Sequence, residues 1–152
     1  MEFFSESVSN TINLGEKLGK KLTGGEFIAL LGDLGGGKTH FAKGLANGLG
    51  VEERITSPTF VIERIYPLEK GSLHHFDFYR MSGSEPEIEA DLKELKAGSE
   101  DIVVVEWAKN IPQVIPAERL EIIFEYIDEN SRKLIFSAKG ERYHKLLKEF
   151  DK

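Results

Sequence analysis

Residues Gly32 to Thr39 read Gly-Asp-Leu-Gly-Gly-Gly-Lys-Thr, a complete match to the pattern G-x-x-x-x-G-K-[ST]. No other stretch limits the fold so strongly, because such a loop works only between a buried strand and the first turn of a helix. Both flanks comply: the apolar run Phe27-Ile28-Ala29-Leu30-Leu31 precedes it, and Phe41-Ala42-Lys43-Gly44-Leu45-Ala46 follows with helical spacing. At such a junction the backbone N–H groups of Gly35 to Thr39 can wrap a β-phosphate, helped by the positive end of the helix dipole. Gly35, Gly36 and Gly37 let the backbone approach an anion without side chains in the way. Lys38 is placed to reach the β- and γ-phosphates, and the Thr39 hydroxyl to ligate Mg²⁺. Nucleotide binding is the expectation.

The rest of the chain fits an α/β domain built around that loop. Glu6 to Leu22 carries Val8, Ile12, Leu18 and Leu22 at helical spacing, and Thr23-Gly24-Gly25 ends it before the strand at Phe27. A second helix runs from Lys38 to about Leu49, with Gly50 as its stop. Thr59 to Tyr66 and Ser72 to Phe78 are rich in aromatic and β-branched residues, and Pro67 to Gly71 joins them as a β-hairpin. Glu85 to Lys96 reads as a short charged helix, and Ile102-Val103-Val104-Val105 as a strand covered on both faces. Arg119 to Ile127 and Arg132 to Ala138 form a second hairpin, and an amphipathic helix from Glu141 to Phe150 closes the sequence. The predicted architecture is α/β: a three-layer P-loop NTPase-like domain, residues 1–152, with a mixed, partly parallel sheet and two β-hairpins.

Composition narrows the function classes. The 152 residues suffice for one proper core but not for two domains. The net charge of −6 suits a polyanionic partner poorly, so tRNA is expected to be met only indirectly and DNA not at all. No apolar stretch approaches the ~20 residues that span a bilayer, so no membrane role is expected. The N-terminus lacks the basic segment of a secretory signal, and a cytoplasmic location is the expectation. With no cysteine, thiolate chemistry and cysteine-ligated zinc are excluded.

A phosphate loop needs partners. The first is an acidic residue at the end of a hydrophobic strand, where it can hold Mg²⁺ directly or through water. Glu106, which ends Ile102 to Val105, fits best, and Asp77 in His75-Phe76-Asp77-Phe78 is the second candidate. The second partner is a segment that senses the γ-phosphate. Ser57-Pro58-Thr59 lies where such switches occur, and it reads equally well as a rigid turn entering a strand. His74, His75 and His144 form no recognisable ligand set and read as structural or exposed.

Four motifs in order, Gly32 to Thr39, Ser57-Pro58-Thr59-Phe60, His75-Phe76-Asp77-Phe78-Tyr79-Arg80 and Val105-Glu106-Trp107, resemble those of the TsaE (YjeE) family of bacterial ATPases in tRNA threonylcarbamoyladenosine synthesis. The resemblance implies an ATPase, loaded with ATP and Mg²⁺, that works beside the TsaD–TsaB pair and sustains or resets its cycle. It implies that Lys38 binds phosphate, that Thr39 and Glu106 hold the metal, and that Asp77 and Thr59 serve hydrolysis and switching. The nucleotide-contacting set it implies is Asp33, Leu34, Gly35, Gly36, Gly37, Lys38, Thr39, His40 and Arg132, with Ser7 to Thr11 nearby. Gly36 stands where the family usually has alanine. Two other functions share the loop: a small-molecule kinase, against which the scattered arginines speak, and a nucleotide-gated binding module with little turnover.

Overall fold

The computed structural model describes residues 1–33, 35–55, 62–96 and 100–152. Its elements begin with β1 (Glu2–Ser5), α1 (Val8–Gly19), β2 (Phe27–Gly32), α2 (Lys38–Gly48), β3 (Glu63–Pro67) and β4 (Ser72–Asp77). They continue with α3 (Pro86–Lys96), β5 (Ile102–Glu106), β6 (Arg119–Tyr126), β7 (Arg132–Lys139) and α4 (Glu141–Phe150). Short 3₁₀ turns at Ala108–Asn110 and Pro112–Val114 follow β5.

The strands form a single mixed sheet in the order β1-β7-β6-β2-β5-β4-β3. β2 sits at its centre, parallel to both β5 and β6, and β4 runs parallel to β5. β3–β4 and β6–β7 are the two antiparallel hairpins that the sequence predicts. In the second hairpin, the Asp128 carboxylate accepts from the N–H groups of Asn130 and Ser131 at 2.9 and 2.8 Å and fixes the turn.

Burial on both faces explains the unbroken apolar runs of β2 and β5. Ile28, Leu30, Ile102 and Val104 face the layer of α1, α2 and α4, together with Phe41, Leu45, Leu120, Ile122 and Phe136. Phe27, Ala29, Val103 and Val105 face the other layer, where Leu92 of α3, Ala108 and Val114 of the 3₁₀ turns, and Ile111 between those turns cover them. Each large apolar side chain so buried stabilises the fold by about 1.5–3 kcal/mol. Helices on both faces of the sheet make three layers, the predicted architecture. No helix among the described residues is long and apolar enough to cross a membrane.

α1 and α2 are joined through glycine. Gly15 and Gly19 on α1 meet Gly44 and Gly48 on α2. A Cβ at Gly44 would lie 1.9 Å from the Ile12 carbonyl oxygen, and one at Gly15 would lie 2.2 Å from that of Phe41. The two backbones therefore touch directly, as small residues spaced by four permit. β1 is not anticipated by the sequence reading; it is a four-residue edge strand whose Ser5 pairs with Arg132 of β7.

Candidate functional site

The site lies at the carboxyl ends of the parallel strands β2, β5 and β4, where open α/β sheets present their ligand crevice. β2 ends at Gly32, whose φ of 128° and close neighbour exclude a side chain: a Cβ there would sit 2.4 Å from the Phe124 carbonyl oxygen. α2 starts after Gly37, in the left-handed region at φ 92°, and this N-cap residue has no side chain with which to cap it. Among the described residues, the first N–H groups of α2 therefore receive no acceptor from an N-cap side chain. With the helix dipole behind them they make the kind of helix end that suits an anion.

Around that end lies a cavity of ≈ 190 Å³, walled by the loop glycines, Lys38, Thr39, His40, Asp77, Tyr79, Glu106 and Trp107. Lys38 is buried, and its Nζ donates to the carbonyl oxygens of Gly32 and Asp33 at 2.9 and 2.6 Å. The same ammonium stands 4.7 Å from the centroid of the Trp107 ring. Burial pushes the Lys38 ammonium below the usual lysine range, while Glu106, Asp33 and Asp77 oppose that shift.

The Thr39 hydroxyl donates to Glu106 Oε1 at 3.3 Å. Glu106 is 3% exposed and also takes a 2.7 Å hydrogen bond at Oε2 from His75 Nε2. A carboxylate only accepts, so the imidazole is the donor there. Parallel register sets Asp77 opposite Glu106, so both carboxylates end adjacent strands on one side of the sheet. The Tyr79 N–H holds Asp77 Oδ1 at 2.9 Å, and the Phe78 N–H donates to the Glu106 carbonyl oxygen at 3.0 Å. Trp107 follows Glu106 with φ 59°, the one left-handed non-glycine among the described residues, and its ring meets that of Tyr79 at 5.0 Å.

On the other side of the loop, Arg132 Nη2 donates to the Gly35 carbonyl oxygen at 3.0 Å. Thr11 of α1 lies 3.7 Å from where a Gly37 Cβ would be, and its hydroxyl shares a 2.7 Å hydrogen bond with Ser5. Ser7 caps α1, accepting from the Asn10 N–H at 3.1 Å. The chain thus brings together Asp33, Gly35, Gly36, Gly37, Lys38, Thr39, His40, Asp77, Glu106 and Arg132. Leu34 and the Ser57-Pro58-Thr59-Phe60 segment lie outside the described residues. Sequence reasoning gave His75 no part in this site. Its position two residues before Asp77, on the same strand face, was the signal available. His144 is exposed, and His74 pairs with Glu63 at 2.7 Å away from the loop.

Sheet, loop and acidic strand ends define a P-loop NTPase-like domain. A family model for the threonylcarbamoyl adenosine biosynthesis protein TsaE matches residues 5–134. The tRNA threonylcarbamoyladenosine biosynthesis protein TsaE of Bacillus subtilis is 38% identical over 128 residues, 84% of this chain and 79% of that protein. Its namesake from Streptomyces coelicolor is 43% identical over 72% of this chain and 74% of its own. The crystal structure of Bacillus subtilis YdiB superposes with a TM-score of 0.84 at 31% identity, covering 99% of this chain and 93% of that one. This chain belongs to the TsaE family.

Proposed function

We propose that this protein is an Mg²⁺-dependent ATPase that supports tRNA threonylcarbamoyladenosine biosynthesis by acting on the TsaD–TsaB complex. The observation that carries the reading is the meeting of Lys38, Thr39 and Glu106 at the glycine-capped start of α2. A hydroxyl and a carboxylate oxygen side by side suit Mg²⁺, which takes hard oxygen donors and fills its remaining positions with water and phosphate. Thr39 and Glu106 would hold the ion, which when bound neutralises charge on the transferring phosphoryl group. His75 positions Glu106 by occupying Oε2, which keeps Oε1 turned to Thr39. Lys38 exchanges its bonds to the Gly32 and Asp33 carbonyls for phosphate oxygens. Asp77 orients the attacking water or accepts its proton.

Proton linkage to Lys38 tests the phosphate contact. Burial lowers the ammonium's pKa in the free protein, and phosphate beside it raises that value again. Binding therefore takes up a proton between the two values. Affinity for ATP falls about tenfold per pH unit as pH rises through that window, and below it this group adds no pH dependence. Calorimetric titration in buffers of unequal ionisation enthalpy should report proton uptake at alkaline pH. No uptake at any pH would count against the contact.

The activity itself is tested by phosphate release from MgATP, alone and with TsaD–TsaB added. Release should rise with the partner complex and fall to background in Lys38→Ala. Asp77→Asn should bind MgATP nearly as tightly as the parent and hydrolyse it at least about a hundredfold more slowly. Equal loss of binding and turnover would remove Asp77 from the hydrolytic role. ATP binding without release under either condition would favour a nucleotide-gated module.

A further inference from the structure

The loop has a second flank that phosphate and metal chemistry leave unexplained. β6 turns Leu120, Ile122, Phe124 and Tyr126 to the sheet face that carries α1 and α2. The first three are buried, while Tyr126 is 62% exposed. Gly32 pairs with Phe124, so Tyr126 stands two residues beyond the start of the loop, at the same end of the sheet. Directly across the hairpin is Arg132, whose guanidinium carbon is 4.7 Å from the Tyr126 ring centroid. Arg132 is tied down in turn, donating to the carbonyl oxygens of Ser131 at 2.8 Å and Gly35 at 3.0 Å. Its Nε is buried with no hydrogen-bond partner among the described residues. An exposed aromatic ring is thus held against a guanidinium that is itself fastened to the phosphate loop.

The sheet order says which part of a nucleotide lies there. Glu106 and Asp77 end β5 and β4, on one side of β2, whereas β6 and β7 lie on the other. The proposed hydrolysis sets the terminal phosphate beside Glu106 and Asp77. A polyphosphate chain lying along the loop then carries its nucleoside towards β6 and β7. We infer that Tyr126, held by Arg132, is the stacking platform for the base of the bound nucleotide. This inference rests on the reading of the loop as a nucleotide site. Every base offers a π face to an aromatic ring, and a guanidinium stacked on that ring adds cation–π attraction. A tyrosine that merely ends a hairpin would affect base and phosphate alike or neither.

Calorimetry with ADP and with inorganic pyrophosphate separates the base from the phosphates. The parent protein should bind ADP more tightly than pyrophosphate. Tyr126→Ala should weaken ADP by about tenfold or more and leave pyrophosphate unchanged, while Tyr126→Phe keeps both affinities. Unchanged ADP affinity in Tyr126→Ala overturns the platform, and so does an equal loss of ADP and pyrophosphate. If the parent binds pyrophosphate as tightly as ADP, the platform fails while the phosphate site stands. If it binds neither, the nucleotide reading itself falls and the platform with it.

Discussion

Gly44→Ala should unfold at a lower temperature than the parent protein, although helix propensity alone says the reverse. In a helix interior alanine is favoured over glycine by about 1 kcal/mol. At Gly44 the added methyl would lie 1.9 Å from the Ile12 carbonyl oxygen and 2.7 Å from its carbon, both backbone atoms of α1. No side chain can swing aside, so the helices must separate along the contact that Gly15, Gly19 and Gly48 share. Overpacking of this kind costs about 1–3 kcal/mol and occasionally more, and a clash with backbone belongs at the upper end. After the propensity gain, a net loss of about 2 kcal/mol remains, roughly 5 °C in melting temperature for a chain of this size. Asn47→Ala, on the exposed side of α2, should be neutral or slightly stabilising. A Gly44→Ala protein as stable as the parent would show that the interface yields more easily than backbone contact implies. Because Lys38 and Thr39 begin α2, the displacement should also weaken phosphate binding.

His75→Ala should damage both stability and the proposed binding of Mg²⁺. The imidazole is 1% exposed and supplies a 2.7 Å hydrogen bond to a carboxylate that is itself buried. Among the described residues, its removal leaves the Glu106 carboxylate with the longer Thr39 bond, 3.3 Å, and opens a cavity beside it. A buried acceptor stripped of its donor costs more than about 2 kcal/mol when charged. Loss of a partner that orients a metal ligand typically weakens metal affinity about 10- to 100-fold. Under the proposed function, the Mg²⁺ concentration that half-saturates ATP hydrolysis should rise by that factor, and His75→Gln, which keeps an N–H donor, should recover part of it. An unchanged Mg²⁺ requirement in a folded His75→Ala protein would make His75 a packing residue only.

Much of this was legible from local pattern. The loop declares itself through its glycines, Lys38 and Thr39, and the flanking strand and helix follow from hydrophobic spacing. β5 is an unbroken apolar run, and α4 occupies Glu141 to Phe150 as its periodicity predicts. What stayed hidden depends on pairs of elements. His75 and Glu106 are distant in sequence, and only the parallel register of β4 and β5 turns both to one face. The glycine spacings of α1 and α2 are visible in the sequence, but their meaning appears when the two helices meet. β1 is too short to show a period, and its partner β7 lies near the other end of the chain.

That last pairing has a consequence for how the protein is made. Ser5 is read by the ribosome long before Arg132, yet the two are neighbours in the finished sheet, and Arg132 grips Gly35 of the loop. α1 and α2 can dock while the later strands are still being synthesised. β1 must then wait, unpaired, for the hairpin that completes it. A pulse of protease during translation should therefore cut near the N-terminus until the β6–β7 hairpin has emerged, and spare it afterwards.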